Sequence, residues 1–128
     1  MTIFLIDDDD VFNYLHESVI KSLLPHAQVT VFKSGLDFLT YVQNNGSACL
    51  NPEAVFLDIR MPDMDGFSLL EELEKWPVNP LNNSRVFMLS STLDERDLEK
   101  ARSFKSVTDF IGKPLTIELC SKLLTNKN

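Results

Sequence analysis

The chain has 128 residues, with 19 Asp and Glu against 12 Lys and Arg and a formal net charge of −7. At that length a single domain over residues 1–128 is expected, able to close a core without disulfide or metal. The acidic balance argues against direct contact with a nucleic acid, and no apolar run of about 18 residues is present to cross a membrane.

The elements alternate from the start. The run Ile3-Phe4-Leu5-Ile6 predicts a first strand, and Asp7, Asp8, Asp9 and Asp10 follow it directly. Phe12, Leu15, Val19 and Leu23, three and four residues apart, predict a helix. Val29-Thr30-Val31-Phe32 predicts the second strand. Ser34, with Asp37 three residues on, predicts the cap of a helix striped by Leu36, Leu39 and Val42. Ala54-Val55-Phe56-Leu57 is the third strand, ending at Asp58, and Leu69, Leu73 and Trp76 stripe the third helix. The segment from Trp76 to Ser84 carries Pro77, Asn79, Pro80, Asn82 and Asn83 and reads as a long turn-rich loop. Val86-Phe87-Met88-Leu89 is the fourth strand, followed by Ser90 and Ser91. Thr92 with Glu95 predicts a cap before Leu98 and Ala101. Phe110-Ile111 predicts the fifth strand, followed by Lys113, and Thr116 caps a last helix striped by Ile117, Cys120 and Leu124.

Five strands alternating with five helices predict an α/β fold with a parallel sheet covered on both faces. The N-terminus reaches Asp7 with no basic, apolar leader, so a cytoplasmic protein is expected. Cys49 and Cys120 are then two reduced thiols, neither zinc ligands nor a redox pair.

In an open parallel sheet the reactive groups gather beyond the C-terminal strand ends. Here those positions hold Asp7, Asp8, Asp58, Ser90 and Lys113. Crowded carboxylates raise one another's pKa unless a cation intervenes, and a donor set of oxygens alone suits Mg²⁺. Adding an ammonium and a hydroxyl gives the surroundings that a transferring phosphoryl group requires. One carboxylate would then be the nucleophile and form an aspartyl phosphate.

The stretches Phe4–Asp9, Val55–Gly66, Val86–Ser91 and Phe110–Pro114 resemble the receiver domain of two-component response regulators, in order and across almost the whole chain. The densest match is Leu57-Asp58-Ile59-Arg60-Met61-Pro62-Asp63-Met64-Asp65-Gly66. The resemblance implies a flavodoxin-like (βα)5 three-layer sandwich in strand order 2-1-3-4-5, the order given for a chemotaxis receiver. It implies that Asp58 accepts a phosphoryl group from the phosphohistidine of a sensor histidine kinase or phosphotransfer protein. Asp8 and Asp58 would ligate Mg²⁺, with Asp7 acting mainly through water and the Arg60 backbone carbonyl adding a ligand. Ser90 and Lys113 would engage the phosphoryl oxygens, and Phe110 would be the aromatic switch, turning inward as Ser90 moves. The Lys113–Pro114 bond is expected to be cis, and Pro62 and Gly66 to shape the turn after Asp58. The fourth helix, fifth strand and fifth helix would form the downstream docking face. Self-phosphorylation and slow hydrolysis would be its chemistry, without metabolic turnover.

Three features depart from the usual pattern. Phe110 lacks a tyrosine hydroxyl, Arg60 puts a long cation beside the phosphate mouth, and the Trp76–Ser84 loop is longer than usual. An alternative is a haloacid-dehalogenase-like phosphatase with Asp7 as nucleophile, which Asp7-Asp8-Asp9-Asp10-Val11 fits. No acidic pair follows Lys113, and that reading leaves Asp58–Gly66 unexplained. A calcium loop fails because Met61 stands at its first ligand position. A flavin phosphate loop would meet repulsion from four aspartates.

Overall fold

The computed structural model describes residues 1–46 and 50–125. Five strands alternate with five helices: β1 (Thr2–Ile6), α1 (Asp10–Leu23), β2 (Gln28–Phe32), α2 (Gly35–Asn45), β3 (Ala54–Asp58), α3 (Gly66–Glu74), β4 (Arg85–Ser90), α4 (Glu95–Ser103), β5 (Val107–Gly112) and α5 (Ile117–Thr125). All pairings are parallel and the order is β2-β1-β3-β4-β5, as expected. No described helix is long and apolar enough to cross a membrane.

The strands read as apolar runs because both faces are covered. Odd and even residues of β1 separate into two cores by the period of two. Ile3 and Leu5 pack with Phe56, Phe87 and Leu89 beneath Ile20 of α1 and Cys120 and Leu124 of α5. Phe4 and Ile6 pack with Val55, Leu57, Val86 and Met88 against Phe38 of α2, Phe67 and Leu70 of α3 and Ala101 of α4. Complete burial of a phenylalanine such as Phe56 contributes about 2–3 kcal/mol. The edge strands β2 and β5 are less covered than β3, which is buried throughout.

The helix stripes differ in phase from expectation. In α1 the buried residues are Asn13, His16 and Ile20, while Leu15 is 40% exposed. In α2 Phe38 takes the inward place expected of Leu36, which is exposed. In α5 Ile117 is exposed, and Leu115 ahead of the helix is buried instead. The cap of α4 is Asp94, whose carboxylate accepts from the Arg96 N–H at 2.8 Å. Thr92 does not take that role because the helix begins at Glu95, two residues too late for it, and its backbone groups engage the Ser90 hydroxyl. Ser34 and Thr116 cap as expected, accepting from the N–H groups of Asp37 and Leu119.

β5 is longer than Phe110-Ile111 and carries a bulge. Val86 pairs with Val107 and Phe87 with Asp109, so Thr108 is the extra residue, and its hydroxyl accepts from the Val86 N–H at 3.2 Å. The Trp76–Ser84 loop is held by Leu81, which is buried, and by the Ser84 hydroxyl donating to the Pro52 carbonyl at 2.6 Å. Cys120 is a free thiol whose pKa burial pushes up to about 11; Cys49 lies outside the described residues.

Candidate functional site

The register of the three central strands brings their C-terminal ends together. Ile6 of β1 pairs with Leu57, and Asp58 with Leu89, so Asp7, Asp58 and Ser90 emerge side by side. Asp7 and Asp58 are buried and Asp8 is exposed. One carboxylate oxygen from each of the three lies within 4.8 Å of the others. Lys113 reaches into this cluster from the end of β5. Its Nζ stands 2.7 Å from Asp7 Oδ2 and 3.1 Å from Asp58 Oδ1, with its side chain 5% exposed. The Lys113 N–H donates to the Ser90 carbonyl at 2.8 Å, and the Lys113–Pro114 bond is cis, as the resemblance implies.

The charges are strongly coupled. Burial, and next the charge of Asp7, raises Asp58 from 3.8 to about 6 against the opposing pull of Lys113. Burial disfavours the Lys113 ammonium, but its bonds and charge contacts with Asp7 and Asp58 outweigh this and raise its pKa. The metal-free site is therefore a crowded anion cluster only partly neutralised by one ammonium.

The donor set fits a hard cation. It consists of oxygens, and the buried Asp7 Oδ2 has no partner beyond its ion-pair contact with Lys113. Asp7 Oδ1 instead accepts from the Asp9 N–H at 2.9 Å. Asp7, Asp8 and Asp58 could thus hold Mg²⁺.

Two other aspartates of the acidic runs, Asp9 and Asp65, shape the backbone. Asp9 caps α1 by accepting from the Val11 and Phe12 N–H groups, and Asp65 caps α3 by accepting from Ser68. Asp10 pairs with Lys33 at 2.9 Å on the surface. Gly66 lets α3 approach the site. A Cβ there would stand 2.6 Å from the Asp58 carbonyl oxygen and 2.9 Å from Met88 Cε. Gly66→Ala is therefore expected to displace Asp58, cost about 1–3 kcal/mol and slow phosphoryl uptake. Urea midpoints measured beside uptake rates will check both effects.

Two side chains near the site engage other protein groups. The Arg60 guanidinium, expected beside the phosphate mouth, bonds Asp97 of α4 at 2.6 Å. The Ser90 hydroxyl is occupied by the Thr92 backbone, accepting its N–H at 3.1 Å and donating to its carbonyl. Phe110 is half-buried against the α2–α3–α4 core, beside a cavity of about 160 Å³ between α4 and β5.

Sequence reasoning missed three residues of α1. The Asn13 carboxamide donates to the Asp7 carbonyl at 2.8 Å. The Phe12 ring lies under Lys113 Nζ, 4.5 Å from its centroid. His16 accepts the Leu115 N–H at 3.1 Å, and burial above all holds its imidazole below the ordinary pKa. A polar residue recurring on the helix face aimed at the acidic strand end was the available signal.

Comparisons with known proteins agree with this arrangement. The profile of the response regulator receiver domain matches residues 3–125. A protein-glutamate methylesterase/protein-glutamine glutaminase of Nitrobacter hamburgensis is 30% identical over 118 residues, spanning 89% of this chain and 28% of that protein. The two-component response regulator ARR22 of Arabidopsis thaliana is 26% identical over 116 residues, 91% of this chain and 75% of that one. A two-component response regulator of Cytophaga hutchinsonii superposes with a TM-score of 0.85 at 29% identity, covering 98% of this chain and 94% of that chain. Against the first three curated relatives it matches, the chain spans 28%, 6% and 13% of their length. Profile and architecture converge, and the chain belongs to the response regulator receiver domains, the phosphoacceptor modules of two-component signalling.

Proposed function

We propose that Asp58 accepts the phosphoryl group, in a Mg²⁺-dependent transfer from a phosphohistidine on a sensor histidine kinase or phosphotransfer protein. The observation that carries this reading is the place of Asp58. It ends the fully buried central strand, within 3.1 Å of a buried ammonium and beside two further carboxylates. A side-chain oxygen of Asp58 forms the bond to phosphorus as the donor's P–N bond breaks, and the imidazole leaves with its electron pair.

Asp7, Asp8 and Asp58, with the Arg60 backbone carbonyl, are the residues that would hold Mg²⁺. When bound, the ion supplies charge neutralisation at the phosphoryl oxygens. Lys113 is placed to pair with the transferred charge, already standing against Asp58. Ser90 supplies a hydroxyl once it leaves Thr92, and the cavity beside Phe110 gives the aromatic ring room to turn inward. With no phenol hydroxyl on Phe110, the switch acts through shape.

The face of α4, β5 and α5 is the proposed surface for a downstream protein, with no direct role for nucleic acid or membrane. Residues 1–128 act as one receiver unit in the cytoplasm. Incubating the chain with Mg²⁺ and acetyl phosphate is expected to add the mass of one phosphoryl group. That mass should be absent when the metal is chelated. A wild-type chain that stays unmodified in excess Mg²⁺ would sink the reading.

A further inference from the structure

We propose that His16 is a positioning residue for Lys113, acting through the backbone of Leu115. The inference rests on the proposed role of Lys113 in phosphoryl transfer.

His16 lies on the inward face of α1, 1% exposed, and its Nε2 accepts the Leu115 N–H across 99 residues of sequence. A ring nitrogen that accepts is unprotonated, so this bond requires the neutral ring with its proton on Nδ1. Leu115 is itself buried and stands two residues after Lys113. On the other side, the Lys113 N–H is fixed to the Ser90 carbonyl. The segment bearing the ammonium is thus clamped at both ends, by β4 before the side chain and by α1 after it.

Neighbouring α1 residues act on the same target. Phe12 lies one turn earlier, 5.5 Å from the His16 ring by centroids, and its face takes the Lys113 ammonium at 4.5 Å. Asn13, between them, holds the Asp7 carbonyl. One helix face therefore positions both partners of the Lys113–Asp7 contact. An aliphatic residue at position 16 would fill the volume without burying an imidazole, but would leave the Leu115 N–H unpaired and its loop free to shift. A displacement of about 1 Å at a reacting group can cost up to ~100-fold in rate, so a remote acceptor matters here.

The test compares His16→Leu with His16→Gln in the full chain, because the glutamine carbonyl can stand near the position of Nε2. In the metal-free protein, His16→Leu is expected to speed exchange of the Leu115 amide, while His16→Gln keeps it protected. With saturating Mg²⁺ and acetyl phosphate, His16→Leu should slow phosphoryl uptake about tenfold or more, and His16→Gln should restore most of the rate. Mg²⁺ affinity, measured by calorimetry, should change by no more than about twofold, because the carboxylates are untouched and the ammonium is displaced but still present.

Equal slowing in the Leu and Gln variants would overturn the proposal, as would slowing that disappears after correction for the folded fraction. Should His16→Leu fail to fold, a cycle of Phe12→Leu and His16→Met, which also removes the ring nitrogen, gives the second measurement. Non-additive effects on uptake are expected, and strict additivity overturns the shared target. Lys113→Met separates the two readings. Wild-type uptake in that variant defeats the role of Lys113 and the inference together. Slow uptake there with unaltered uptake in His16→Leu defeats the inference alone.

Discussion

Asp58→Asn is expected to abolish phosphoryl uptake and, at the same time, to make the metal-free protein more stable at neutral pH. The loss follows from the proposed role of Asp58 as nucleophile, since an amide oxygen does not form the acyl phosphate. The gain follows from burial and the charge of Asp7, which raise Asp58 from 3.8 to about 6. A carboxyl whose pKa is raised on folding contributes stability below its unfolded value. That contribution is lost as pH rises through the folded value, here between about 4 and 6. At pH 7 the ionised group thus costs the fold on the order of 2–3 kcal/mol. The amide removes that cost, which already includes the pull of Lys113, but is itself a buried polar group, leaving a net gain of about 1–2 kcal/mol and several degrees in Tm. Thermal melts in chelator at pH 7 and at pH 4.5 check the sign. The advantage should shrink at the lower pH, where wild-type Asp58 is protonated. Adding Mg²⁺ should reverse the order, because wild type binds the ion with all three carboxylates.

Lys113→Met is expected to move two properties in opposite directions. Phosphoryl uptake should fall about 100-fold, since no buried ammonium remains to meet the transferred charge. Mg²⁺ affinity should rise about tenfold. The ammonium opposes the metal, and a residual repulsion of about 1.4 kcal/mol after screening corresponds to that factor. The contacts at 2.7 and 3.1 Å make this competition direct. Metal-free Lys113→Met should also be destabilised, because Asp7 and Asp58 lose their buried counter-ion. Single-turnover mass spectrometry gives the rate and calorimetry the affinity. Tight metal binding with unimpaired uptake would show that Lys113 serves the fold and not the transfer.

Much of this centre is legible in the amino-acid sequence alone. The central strands are continuous apolar runs, so their ends are sharp, and Asp7, Asp58 and Ser90 stand directly at those ends. The features that sequence patterns do not reveal are hidden for physical reasons. A search for apolar spacing finds Leu15 and passes over Asn13 and His16, which are polar yet buried because each has a bond partner. The Thr92–Glu95 pattern fits a cap, but Ser90 claims the Thr92 backbone and Asp94 takes the position. Arg60 and Asp97 are 37 residues apart, and their pairing emerges only once α4 is packed. The extra residue at Thr108 is likewise a property of paired strands, invisible in one strand read alone.

β5 gathers these departures. Its residues alternate between the two cores, Phe110 toward α4 and Ile111 toward α1 and α5, before the chain reaches Lys113. It is also the strand with an open edge and a bulge, bordering the cavity between itself and α4. β3, by contrast, lies between two strands, is buried throughout and ends at Asp58. Enclosure and an open edge are thus divided between two strands of one sheet. The enclosed strand is the one proposed to receive the phosphoryl group, and the edge strand carries the ammonium beyond its tip and the aromatic ring along its length.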